Sequence, residues 1–215
     1  MRQLPPATIL AFTATMTLLL LGWDLIFIES IDLYFKEGVG IEQVTVVLLV
    51  WAIGLLVWRL GLRRSLREWQ LPLALLLMAL RELDFDKRFT DQGVLKLRYY
   101  TSSEPLTDKL PGILLLLVLA LMLYRLARRN LMPWLRGLRQ RDLCAWLVAM
   151  AGVAGVIAKS IDGLARKLAP FGIEVPAIVG ERAGRIEELL EMLFVFLLIQ
   201  AIVTARGAAP GRGSR

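Results

Sequence analysis

Long apolar runs constrain this chain before anything else does. From Ala7 to Ile28 the only charged residue is Asp24, and comparable runs recur almost to the end of the sequence. A helix needs about 20 mostly apolar residues to cross a hydrocarbon core of about 30 Å, and six stretches come near that length. They are Ala7 to Ile28, opened by Pro5 and Pro6; Val44 to Leu60; a third beginning at Leu71; Leu110 to Leu126, with Pro111 in its first turn; Leu143 to Leu164; and Ile186 to Ala205. The pattern predicts an all-α integral membrane protein, a bundle of about six transmembrane helices forming one polytopic domain over residues 1–206. The small, polar tail 207–215 is expected to be disordered. The first run is too long, and too poor in a small-residue cleavage site, for a removed signal peptide, so it is expected to remain as an anchor.

Composition fits this class, with 57% apolar and 21% charged residues and a mean hydropathy of +0.60. Soluble domains average about 45 to 50% apolar and about 25% charged. The chain has no histidine, which excludes imidazole bases, His-ligated haem and His-ligated zinc. Its single cysteine, Cys144, excludes an intrachain disulfide, a CxxC redox pair and an iron–sulfur cluster. Carboxylate, arginine, lysine, hydroxyl and aromatic chemistry remain, and any metal would be a hard one such as Mg²⁺, Ca²⁺ or Mn²⁺.

An even number of crossings places both termini on one side. The amino terminus, 59–70, 125–142 and 206–215 together hold 14 Lys and Arg against two acids, Glu68 and Asp142. The remainder of the chain holds 12 basic and 17 acidic residues. Dense basic charge in short loops marks the cytoplasmic side, so both termini are expected in the cytoplasm and the protein in the cytoplasmic (inner) membrane. Tyr124 to Asp142 carries Leu131, Leu135 and Leu138 at helical spacing, with Trp134 and six arginines around them. Such a segment suits anionic headgroups at the cytoplasmic leaflet, although an ordinary positive-inside loop explains it as well. On the outer side, Val94 to Tyr100 reads as a strand or interfacial segment. Leu168 to Gly180, broken by two prolines and two glycines, reads as an interfacial loop or a lid dipping into the membrane edge. No base-reading motif points to nucleic acid.

Ionisable residues within spans cost several kcal/mol each and usually face the bundle interior. Here they gather at one depth. A third helix starting at Leu71 brings Arg81 and Glu82 roughly 15 Å in, about the midplane, with Asp84, Asp86 and Arg88 beyond. The first run brings Asp24, the fifth Lys159 and Asp162, and the sixth Glu187, Glu188 and Glu191. Glu82 and Asp86, like Glu187 and Glu191, are four apart and share a helix face. Ala151, Ala154, Gly155, Ala158 and Asp162 form a small-residue face that should turn Asp162 towards a neighbouring helix.

This pattern makes Arg81, Glu82, Asp86, Asp162, Glu187 and Glu191 the main candidates for a site that takes a cation or a lipid or phosphate headgroup. Asp24, Asp84, Arg88, Lys159 and Glu188 are secondary candidates, and Glu82, Asp86, Glu187 and Glu191 are candidate metal ligands. Two alternatives fit the same residues. One is a carboxylate- or metal-dependent hydrolase or transferase acting on a lipid phosphate. The other is an accessory subunit, with a membrane-protein partner, whose charges form a structural ion-pair network.

Overall fold

A computed structural model describes residues 5–27, 40–83, 85, 99 and 106–205. Among them all regular structure is helical: α1 (Pro6–Phe27), α2 (Ile41–Leu60), α3 (Leu62–Arg67), α4 (Gln70–Glu82), α5 (Leu106–Leu126), a π-helical turn (Ala127–Leu131), α6 (Met132–Arg139), α7 (Leu143–Ile161), α8 (Leu164–Leu168), a 3-10 turn (Ala169–Phe171) and α9 (Ala177–Thr204). Among the described residues four helical runs are long and apolar enough to cross a membrane, namely Pro6–Trp23, Ile41–Leu60, Lys109–Arg139 and Leu143–Ile161. The other two expected crossings differ for separate physical reasons. α4 has 13 residues, about 20 Å at 1.5 Å per residue, and its backbone leaves the helix at Leu83. α9 has 28 residues, but Glu187, Glu188 and Glu191 fall inside its apolar stretch.

Local signals set most of the boundaries. Gly61, at φ 75°, closes α2 and separates it from α3, a left-handed position that glycine takes at little cost. Asp142 starts α7 by accepting a hydrogen bond from the Ala145 amide at 3.1 Å, which satisfies one of the otherwise unpaired donors of the first turn. Gly163, at φ 57°, follows its end. α9 starts directly after Pro176, about nine residues earlier than the apolar pattern of Ile186 to Ala205 implies. The stretch expected as a loop or lid is therefore helical from Ala177 onward.

The core lies between α2, α4 and α9. Val44, Leu48, Ala52 and Leu55 of α2 pack with Leu75 and Ala79 of α4 and with Val195, Ile199 and Val203 of α9. α7 and α9 form the most extensive helix pair. Ala151, Ala154 and Ala158 are buried there, and a Cβ on Gly155 would stand 3.4 Å from the Phe194 ring. Small side chains let the two backbones approach closely, as the face read from sequence anticipates. α1 joins α2 through Thr13, whose hydroxyl donates to Ile9 O at 2.8 Å and accepts from Trp51 Nε1 at 3.0 Å. That pairing satisfies a fully buried hydroxyl.

Hydrogen bonds between helix ends fix the directions. Arg59, at the end of α2, donates to Val203 O and to Ala205 O at the end of α9. Cys144, at the start of α7, donates to Ala201 O at 3.4 Å. Gln70, at the start of α4, bonds Arg125 and Asn130 at the end of α5 and in the π-turn. So α2 and α9 run parallel, while α4 and α7 run against them. One end of the bundle collects 59–70, 125–142 and residue 205, the arginine-rich segments. The other collects Glu42, Glu82, Lys159, Asp162, Glu187, Glu188 and Glu191.

Candidate functional site

The acidic end contains a cavity of about 190 Å³, walled by four helices. Thr45 and Leu49 line it from α2, Met78, Arg81 and Glu82 from α4, Gly155 and Lys159 from α7, and Glu191, Phe194 and Val195 from α9. The absence of a side chain at Gly155 leaves room beside Phe194. Thr45 donates its hydroxyl to Ile41 O at 3.0 Å, so its polar atom is satisfied within its own helix.

Lys159 is the electrostatic centre of this end. Its ammonium lies 3.0 Å from Glu191 Oε1, 3.3 Å from Glu187 Oε1 and 3.4 Å from Asp162 Oδ2. An ammonium has three protons to donate, and three carboxylates receive them here. Asp162 thus pairs within its own helix, and Lys159 is the residue that reaches the neighbour. Lys159 enters from the sequence only as a secondary candidate, because helical spacing tells which residues share a face and not which one crosses to another helix.

Glu82 is placed differently. It lines the cavity half-buried at the last position of α4, with Arg81 exposed beside it. Among the described residues its carboxylate has no hydrogen bond and no ion pair within 4.0 Å. Glu188 has none either, and Glu42, Glu82 and Glu191 are all within its electrostatic reach. Glu42 is not among the residues that the sequence singles out. It falls in the first turn of α2, two residues before the apolar run that begins at Val44.

Five of the six main candidates share this end: Glu82 and Arg81 on the cavity wall, Glu191 on the wall and in the Lys159 clamp, and Glu187 and Asp162 in the clamp. Asp162 joins the clamp from the end of α7. Asp84, Asp86 and Arg88 lie outside the described residues, as do the side chain of Asp24, the segment Val94 to Tyr100 apart from Tyr99, and the tail 207–215. Among the described residues no group of three or more carboxylate or thiol side chains is spaced to hold a metal ion.

Chemically, the cavity offers both signs of charge over an apolar floor. Arg81 supplies a planar donor fork suited to phosphate or carboxylate. Glu82 supplies an acceptor for an ammonium, a hard cation or a proton. No protein-family model matches this chain, and no curated protein or solved structure matches it either.

Proposed function

We propose that the chain is a six-crossing protein of the cytoplasmic membrane, with both termini in the cytoplasm, whose acidic end opens to the outer half of the bilayer and binds a small charged ligand there. The ligand is a cation or the headgroup of a lipid phosphate. Glu82 carries the ligand's positive charge and Arg81 its anionic group, while Lys159 holds α7 and α9 in place around them. The observation that carries this reading is one cavity on which an unpaired carboxylate, Glu82, faces two cationic side chains and a second carboxylate. Intramembrane ionisable groups without a structural partner are costly, and a site accounts for that cost. In the six-crossing arrangement α9 crosses despite its three glutamates because they face α4 and α7 rather than lipid, and α4 is the short crossing that brings the cavity into the membrane.

A thermal-shift panel on detergent-purified protein tests this. It compares Mg²⁺, Ca²⁺, Mn²⁺, inorganic phosphate, zwitterionic lipids and anionic lipids on the native chain and on Glu82→Gln. A ligand that binds only the folded state raises stability by RT ln(1 + [L]/Kd). A shift present in the native chain and absent from the variant is the expected result. No shift with any ligand overturns the reading.

A second reading draws on the Lys159 clamp, whose three carboxylates complete the ammonium's donor capacity without any ligand. In that case the charges are a structural network in an accessory subunit, and Glu191→Gln lowers stability while ligands have no effect.

A further inference from the structure

The opposite end of the bundle carries two short helices that the crossings do not need. α3 follows α2 after Gly61, and α6 follows α5 through the π-turn. They are locked to one another. Gln70, fully buried, donates from Nε2 to Glu68 Oε2 at 2.9 Å and to Asn130 Oδ1 at 3.1 Å, and its Oε1 accepts from Arg125 Nε at 2.9 Å. Arg129 pairs with Glu68 at 2.7 Å. The π-turn supplies both Arg129 and Asn130 to this knot, and such turns often mark a functional adjustment of a helix. On the other flank Trp134 Nε1 donates to Ala145 O at 3.0 Å and seats α6 on the start of α7.

The outward faces of the two helices combine apolar and arginine side chains. Leu62 is 67% exposed, Leu66 66% and Met132 58%. Beside them stand Arg63 and Arg64 on α3, and Arg136 and Arg139 on α6. Among the described residues none of these four guanidiniums has a hydrogen bond or ion pair. A loop that only satisfied the positive-inside tendency would need charge alone. Here the charge sits on ordered helices whose exposed leucines need an apolar boundary beside the phosphates.

We propose that α3 and α6 form one docking platform for anionic phospholipids of the cytoplasmic leaflet. Leu62, Leu66 and Met132 enter the acyl boundary, and the four unpaired arginines take lipid phosphates. Arginine's fork matches phosphate geometry, and arginines outnumber the acids at this end, so the charge complementarity favours an anionic headgroup. The platform shares the membrane reading above but none of the cavity residues.

The test uses the full chain in detergent, titrated with short-chain phosphatidylglycerol, phosphatidylcholine of the same chain length, or inorganic phosphate, with melting temperature and lipid adducts in native mass spectra as readouts. Phosphatidylglycerol is expected to raise the melting temperature where the other two do not. The variant R63Q/R64Q/R136Q/R139Q should bind it at least about tenfold more weakly. Equal affinity in the variant, or equal stabilisation by phosphatidylcholine or by inorganic phosphate, overturns the proposal. Should the variant fail to fold, a salt titration of the native chain decides. Loss of the phosphatidylglycerol effect by about 0.5 M salt supports the platform, and an effect indifferent to salt overturns it. Glu82→Gln keeps the phosphatidylglycerol effect if the lipid sits on the platform. If it loses the effect, the lipid occupies the cavity, the platform is overturned and the cavity reading stands.

Discussion

Lys159 of α7 and Glu191 of α9 meet at 3.0 Å, on the two helices that pack most extensively in the bundle. The Lys159 side chain is 39% exposed and that of Glu191 17%, so the pair is partly screened and contributes less than a fully buried one. Lys159→Met leaves Asp162, Glu187 and Glu191 facing one another without a counter-charge. It should cost about 1–3 kcal/mol, read as a lower melting temperature in detergent. Glu191→Gln should cost less, because Asp162 and Glu187 remain on the ammonium. A double variant less destabilised than the sum of the singles would measure the coupling.

Gly137 in α6 sits against the start of α7, where a Cβ would come within 2.8 Å of the Ala145 Cβ. Glycine to alanine within a helix ordinarily gains up to about 1 kcal/mol. Here the sign should reverse. Gly137→Ala forces α6 away from α7 and strains the Trp134 bond to Ala145 O, at a cost of about 1–3 kcal/mol. An unchanged or raised melting temperature would show that α6 is not seated as described.

Ser65 on α3 is buried, and its hydroxyl has no hydrogen-bond partner among the described residues. A buried unsatisfied polar group costs about 1–3 kcal/mol. Ser65→Ala removes that cost without changing the backbone, so it should leave the protein as stable or up to about 1 kcal/mol more stable. A clear loss of stability, or of lipid binding, would reveal a partner for the hydroxyl.

Arg59 reaches from the end of α2 to the last carbonyls of α9, at Val203 and Ala205. The final four carbonyls of a helix have no partner within it. Arg59→Leu should fray α9 from that end and cost about 1.5–3 kcal/mol, in keeping with a hydrogen bond to a charged donor. Hydrogen exchange of the amides near residue 200 would show it locally, with little change at Glu187 or Lys159.

Helix existence was readable from the sequence wherever a run was apolar and its ends were punctuated. Ala7 to Ile28 became Pro6–Phe27, and Val44 to Leu60 became Ile41–Leu60 with Gly61 as its stop. The start of α9 was not readable, because Pro170, Gly172, Pro176 and Gly180 together resemble a loop. Pro176 instead sits just before the first turn, where it removes no helical hydrogen bond, and Gly180 is tolerated within the helix. That Glu82, Lys159 and Glu191 gather at one end of the bundle was readable from the helical rise and the order of the runs. The division of labour among them was not. Whether Lys159 or Asp162 crosses to α9, and whether Glu42 belongs to a helix or to a loop, depends on packing angles and on one extra turn of α2. Gln70 gave no signal at all, since a lone glutamine at the head of an apolar run looks like an ordinary polar boundary.

The antiparallel course of the bundle has an electrostatic consequence at the cavity. Each helix carries a partial positive charge at its amino end and a partial negative charge at its carboxyl end. Glu42 lies in the first turn of α2, Arg81 in the last turn of α4 and Lys159 in the last turn of α7. All three have the sign that their own helix dipole favours, so the mixture of charges around the cavity follows from helices entering it in opposite directions. Glu82 is the exception, a carboxylate at the negative end of α4. Neutralising it relieves the dipole and leaves the Lys159 clamp untouched. Glu82→Gln should therefore melt no lower than the native chain, and a charge kept against the field of its own helix is one that the fold itself does not require.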